Sequence, residues 1–185
     1  MFHLLSTSNG SLATGIRDAF LKQITQLEAT PDFLQLLYDQ AVNESNKNIQ
    51  LQFYTWAADL GNVDAINYLH SNKEIIQLLA EELEKTTYDF FKERVNMENN
   101  SYSLYMLGMI TNVCNNPDHL DDLSEKKLTI EYYTKAVDKD NPLAMISLAY
   151  FYHDFAKDKV DDTKSLVRRA NEMNFPIDDV LKCYL

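Results

Sequence analysis

Residues 51–70 and 130–149 are two copies of one pattern. Seven positions are identical between them: Tyr54/Tyr133, Thr55/Thr134, Ala57/Ala136, Asp59/Asp138, Asn62/Asn141, Ala65/Ala144 and Leu69/Leu148. The offset is 79 residues, twice the roughly 40 residues of a paired-helix repeat. A half-way copy follows at Asn100, with Phe91 and Val95 before it and Ser103, Leu107 and Gly108 after it. A degraded last copy runs through Arg169-Ala170 to Asn174. Such a unit cannot bury its apolar face alone and must stack on its neighbours.

Helical periodicity fills the rest of the chain. Ile16, Phe20, Ile24 and Leu27 make one stripe of a helix over 11–29. Thr30-Pro31 reads as cap and first residue of the next, which carries Phe33, Leu34, Leu36, Leu37 and Ala41. After the polar stretch Asn43–Asn48 comes a helix built on Leu51, Tyr54 and Ala58, closed by Gly61. Helices are expected over 63–71 and 73–97, the latter divided at Lys85-Thr86-Thr87, and over 101–114 behind Asn100. Asn115–Asp118 reads as a loop, Ser124 as the cap of a helix running to about Asp138, and Asp161 or Asp162 as the start of another. Leu143 to Ala156 is apolar on most sides and is expected to be the most buried helix. Phe175-Pro176 is expected to open a last short one. No segment alternates with period two, so the fold class is all-α.

The recurring asparagine has a mechanism. Each sits in a tight turn before a helix, where its side chain can accept orphan N–H groups and its backbone tolerates unusual angles. The small residues Ala57, Ala65, Ala136, Ala144, Gly108 and Ala149 would let helices approach closely.

Gln52 to Asn62, and Glu131 to Val137 with Asn141-Pro142-Leu143-Ala144, resemble the Sel-one-like repeat family, a relative of the tetratricopeptide repeats. The resemblance implies an α-solenoid of about four degenerate repeats, a right-handed stack of antiparallel helix pairs that binds proteins. The expected organisation is one domain over 1–185, with a flexible 1–10 and the repeat region at 31–180.

Composition narrows the function. A net charge of −11 disfavours nucleic acid and anionic lipid, which require a basic footprint. No run approaches the ~20 apolar residues of a membrane helix. Cys114 and Cys183 do not make a disulfide framework. The start, Met1 to Ser6, has no basic region before Arg17, so the expected location is the cytoplasm, or outside the cell by a route without a Sec signal peptide. Sixteen asparagines, 13 lysines and 11 tyrosines against four arginines suit an AT-rich source, such as a host-associated bacterium or a protist.

No phosphate loop, dinucleotide fingerprint, zinc motif or nucleophile elbow is present. Asp118-His119-Leu120-Asp121-Asp122 reads as a solvated acidic loop and lacks the ligand spacing of a calcium loop. His70 reads as a half-buried helix-end residue, His153 as a residue that could face a groove, and His3 as part of a frayed end. No catalytic residue, metal site or cofactor is expected. The sharper signal is a stripe of Tyr, Met and Asn at corresponding repeat positions. The candidate protein-binding residues are Tyr105, Met109, Tyr150, His153, Asn67 and Asn112, beside Leu104, Ile66, Ser71 and Met145, the last assigned to the core. The alternative for the whole stripe is packing against neighbouring helices. The expected function is a non-catalytic scaffold whose inner face holds a peptide or helix of another protein, partly basic in character. The rivals are a secreted effector of a host-associated microbe that inhibits or retargets one protein, and an unrecognised α-helical enzyme.

Overall fold

The computed structural model describes residues 31–73, 76–77, 85–97, 100–112 and 122–185. Among them are eight α-helices, one terminal 3₁₀ turn and no strand. The helices are α1 (Pro31–Asn43), α2 (Lys47–Asp59), α3 (Val63–Ser71), α4 (Lys85–Met97), α5 (Ser101–Asn112), α6 (Asp122–Val137), α7 (Pro142–Phe155) and α8 (Val160–Glu172), with the 3₁₀ turn at Lys182–Tyr184. The helix expected over 11–29, Cys114, His3, the Asn115–Asp118 loop and the His119 carboxylate cluster lie outside the described residues. No described helix is long and apolar enough to cross a membrane.

Three helices end in the same way. The backbone is left-handed at Gly61 (φ 92°), Asp140 (φ 55°) and Asn174 (φ 58°). At each, the next residue donates its N–H to the carbonyl five residues back: Asn62 to Ala57 at 2.9 Å, Asn141 to Ala136 at 3.1 Å and Phe175 to Ala170 at 3.0 Å. The left-handed residue itself bonds three back, closing a Schellman motif each time. Asn174 is therefore the counterpart of Gly61 and Asp140, and Phe175 stands where Asn62 and Asn141 stand. The unusual backbone angle also falls one residue before the recurring asparagines, whose own φ values are −68° at Asn62 and −76° at Asn141.

Two of the asparagines cap as expected and do something more. Asn62 Oδ1 accepts from Ala65 N at 2.9 Å, and Asn141 Oδ1 from Ala144 N at 3.0 Å. The same amides donate away from their own helix, Asn62 to the Leu34 carbonyl at 3.2 Å and Asn141 to the Ser101 hydroxyl at 3.3 Å. Each amide thus joins a helix start to an earlier helix. Asn141→Ala should lose both bonds and about 1–2 kcal/mol, the upper range for a cap. Thermal melting checks this, and a change typical of an exposed site would show that the asparagine recurs for another reason.

Asn100 departs from the pattern. Its amide binds the Arg94 carbonyl, and its oxygen accepts from Arg94 Nη2 at 3.4 Å. Asp59, at the end of α2, caps α5 instead. Its Oδ1 accepts from Tyr102 N at 2.9 Å and Ser103 N at 3.2 Å, and its Oδ2 accepts from Ser103 Oγ at 2.5 Å. Arg94 stands 3.9 Å from Asp59 Oδ2 and 5.2 Å over the Trp56 ring. The carboxylate is fully enclosed. Burial pushes its carboxyl up to about 6, while Ser103, Arg94 and the two backbone donors pull it back. At neutral pH it is therefore charged, and it joins α2, α4 and α5 in one polar knot.

The most enclosed described helix is α5 rather than α7. Every residue from Tyr102 to Thr111 is buried, because α2, α4, α6 and, more lightly, α7 all pack on it. The expected small positions are the close approaches. Ala57, Ala65, Ala136, Ala144 and Ala149 are all fully covered. At Gly108 a Cβ would lie 2.5 Å from Tyr133 Cδ1, and the buried Tyr133 ring cannot move aside. Gly108→Ala should therefore destabilise by roughly 1–3 kcal/mol through overpacking, outweighing the ~1 kcal/mol gained in helix propensity. A urea midpoint at or above that of the parent would contradict the register of α5 on α6.

Three boundaries differ from the sequence expectations. Ser124 lies inside the first turn of α6 and does not cap it. Helix α8 starts at Val160, so Asp161 and Asp162 fall in its first turn, where carboxylates favour the positive helix end. No α-helix opens at Phe175-Pro176. That segment runs irregularly to the 3₁₀ turn and is tied down by side chains instead. Leu181 is fully buried, Asp178 meets Lys73 at 3.7 Å and Tyr184 Oη lies 2.8 Å from His153 Nδ1.

Candidate functional site

The closing segment reaches back across the molecule to α3, and this makes a cleft. Its volume is about 360 Å³. The floor is Tyr105 and Met109 of α5 with Tyr133 of α6; one wall is Leu143, Ile146, Ser147, Tyr150, Phe151 and Asp154 of α7. The other wall is His70 near the end of α3 and Lys73 just beyond it, with Phe175 and Pro176. Asn112 and Phe155 stand at one end and also line a second recess of about 190 Å³, which continues between α5, α6 and α7 to Glu125, Lys126 and Thr129. The two recesses share Asn112, Phe151 and Phe155 in their walls.

Local rules place these rings. Residues 105 and 109 are one turn apart, as are 147 and 151, so each pair shares a helix face. Tyr105 and Tyr133 stack with centroids 6.2 Å apart, and both phenols hydrogen-bond with Ser147. Burial pushes the Tyr105 hydroxyl up to about 12, with Ser147 pulling it back, and raises Tyr133 well above the usual phenol range. These hydroxyls stay neutral and serve as donors. Tyr105 Oη also lies 3.7 Å from Met109 Sδ.

The mouth carries the charge. Lys73 Nζ sits 5.8 Å from the Tyr150 ring centre and 3.7 Å from Asp178. Burial, a hydrogen bond to Asp178 and the nearby Asp178 and Asp154 charges all raise the Tyr150 phenol. His70 packs against Phe175 with centroids 4.3 Å apart, and its Nδ1 is buried with no hydrogen-bond partner among the described residues. Burial first and Lys73 second lower its pKa, so it is neutral near pH 7.

Four of the six candidate residues come together here: Tyr105, Met109, Asn112 and Tyr150. Their exposure differs from an open stripe. Tyr105 is 2% and Met109 6% exposed, because α6 covers the face that repeat spacing alone leaves open. They are a floor seen through the cleft, and they also belong to the core. Met145 and Leu104 are buried in the core. Asn67 is exposed and lies outside the cleft, and His153 turns to Tyr184. Sequence reasoning missed His70, Lys73 and Phe175 as cleft residues, since only the returning C-terminal segment brings them there. Phe155 carried a usable signal, an aromatic at the end of an apolar helix that is left 62% exposed.

Among the described residues no three His, Cys, Asp or Glu side chains group as metal ligands. Cys183 is exposed and unpaired with another cysteine. No protein-family model, no curated protein and no solved structure matches the chain.

Proposed function

We propose that this chain is a non-catalytic helical-repeat scaffold that holds a segment of another protein in the groove over α5 and α7. The observation that carries the reading is the convergence of aromatic and methionine side chains from α5, α6, α7 and the closing segment on one concave site. Rigid aromatic rings supply contact area at little entropic cost, and methionine adapts to an incoming side chain. The groove's two depressions suit two apolar anchors of one peptide or helix. The three Schellman ends and the paired Asn62 and Asn141 bridges support a solenoid of Sel-one-like type, in which the groove is part of the inner face. The lining combines aromatic and aliphatic side chains with His70, Lys73, Asp154, Glu125 and Lys126.

Panning a displayed random-peptide library on the parent protein tests this. Asn112→Trp, at an exposed position shared by both depressions, is the control that fills the groove. Peptides enriched on the parent and lost on Asn112→Trp are expected, with both proteins melting alike. No enrichment, or enrichment indifferent to Asn112→Trp, would contradict the proposal.

A further inference from the structure

We infer that the mouth of the cleft is built to take the ammonium group of a lysine side chain from the bound segment, and that Lys73 holds that place in the free protein. The inference rests on the cleft being the binding surface and adds the chemistry of one anchor. Lys73 Nζ already lies over the Tyr150 ring at 5.8 Å, so the chain itself shows a primary ammonium at this face. The negative face of an aromatic ring attracts such a cation, most strongly where water is excluded. Two carboxylates serve the mouth. Asp154 lines it, and Asp178 accepts a hydrogen bond from Tyr150 while standing 3.7 Å from Lys73. His70 on the opposite wall is neutral, so among the described residues two carboxylates and one ammonium face the mouth. A second ammonium completes the balance.

Lys73 is suited to be displaced. Its side chain is 45% exposed and that of Asp178 38%, and ion pairs this open contribute little. The wider field agrees, since a net charge of −11 draws cationic partners toward the protein. Beneath the mouth, Tyr105, Met109 and Ser147 line the cleft, where they can cover the methylene stem of the incoming residue.

The test is a pair of probes, Nα-acetyl-lysine N-methylamide and its uncharged counterpart Nα-acetyl-norleucine N-methylamide. Both are titrated by NMR, observing the aromatic side chains, into the parent and into Lys73→Met. The lysine probe should bind Lys73→Met about threefold or more tighter than the parent, and about three- to tenfold tighter than the norleucine probe. Asp178→Asn in the Lys73→Met background should remove most of that preference. Equal binding of both probes overturns the ammonium site alone and leaves the groove as a binding surface. Weaker lysine binding by Lys73→Met, or no binding of either probe, also overturns it. The library experiment then decides separately whether the groove binds peptides at all. Lys73 is exposed, so the melting temperature of Lys73→Met is expected to match the parent and exclude misfolding.

Discussion

Asp59→Ala should lower the stability of the protein by about 3–5 kcal/mol. Three losses combine. The first two N–H groups bound by Asp59 are the orphan donors at the start of α5, and an uncapped start costs about 0.5–2 kcal/mol. The Ser103 hydroxyl, itself buried, loses its acceptor at 2.5 Å. Arg94 keeps a charge that only 9% of its side-chain surface shows to water, with the Asp59 carboxylate 3.9 Å away gone. Asp59→Asn keeps one acceptor and the shape, and should cost less. Urea unfolding followed by circular dichroism gives the size of the effect. Trp56 is the single tryptophan, and Arg94 lies over its ring, so its emission reports on the knot separately. A loss below about 1 kcal/mol, the range of an exposed ion pair, would show that Asp59 does not hold α2 to α5.

Tyr105→Ala is expected to cost about 3–5 kcal/mol, as large aromatic truncations in cores do. Tyr105 fills the space where α5 faces Tyr133, and that ring in turn covers the backbone of Gly108. Removing it leaves a void that fixed helices on several sides cannot close. Tyr105→Phe keeps the ring, loses the hydroxyl's contacts with Met109 Sδ and Ser147, and should cost about 1 kcal/mol. The pair separates packing from polarity. Comparable losses for both variants would place the weight on the hydroxyl instead. A Tyr105→Ala protein as stable as the parent would mean that the ring faces water and that the register of α5 is wrong. Tyr150, half-buried at the mouth, is the better position for a binding variant.

What the sequence made legible was local. Helix ends, the cap at Asn62, the cap with proline at Asn141-Pro142 and the buried small residues all depend on neighbours within a few positions. Asn100 looked like a third cap, but Asp59 reaches the same donors from 43 residues away, and no local rule anticipates that. The stripe of Tyr105, Met109, Asn112 and Tyr150 was found by repeat register. Its exposure was not, because periodicity gives the face of a helix and not the element that covers it. The last segment escaped for the same reason. Phe175-Pro176 follows the left-handed turn at Asn174, and its course is set by contacts with His70, Lys73 and His153 from earlier helices.

The most direct measurement of the central claim is an NMR structure-mapping experiment with a peptide enriched from the library. Intermolecular NOEs are expected from the peptide to the Met109 methyl and to the rings of Tyr150, Phe155 and Phe175. Contacts confined to surfaces away from the groove, such as the exposed side of α3 around Asn67, would contradict the claim that the groove over α5 and α7 is the binding site.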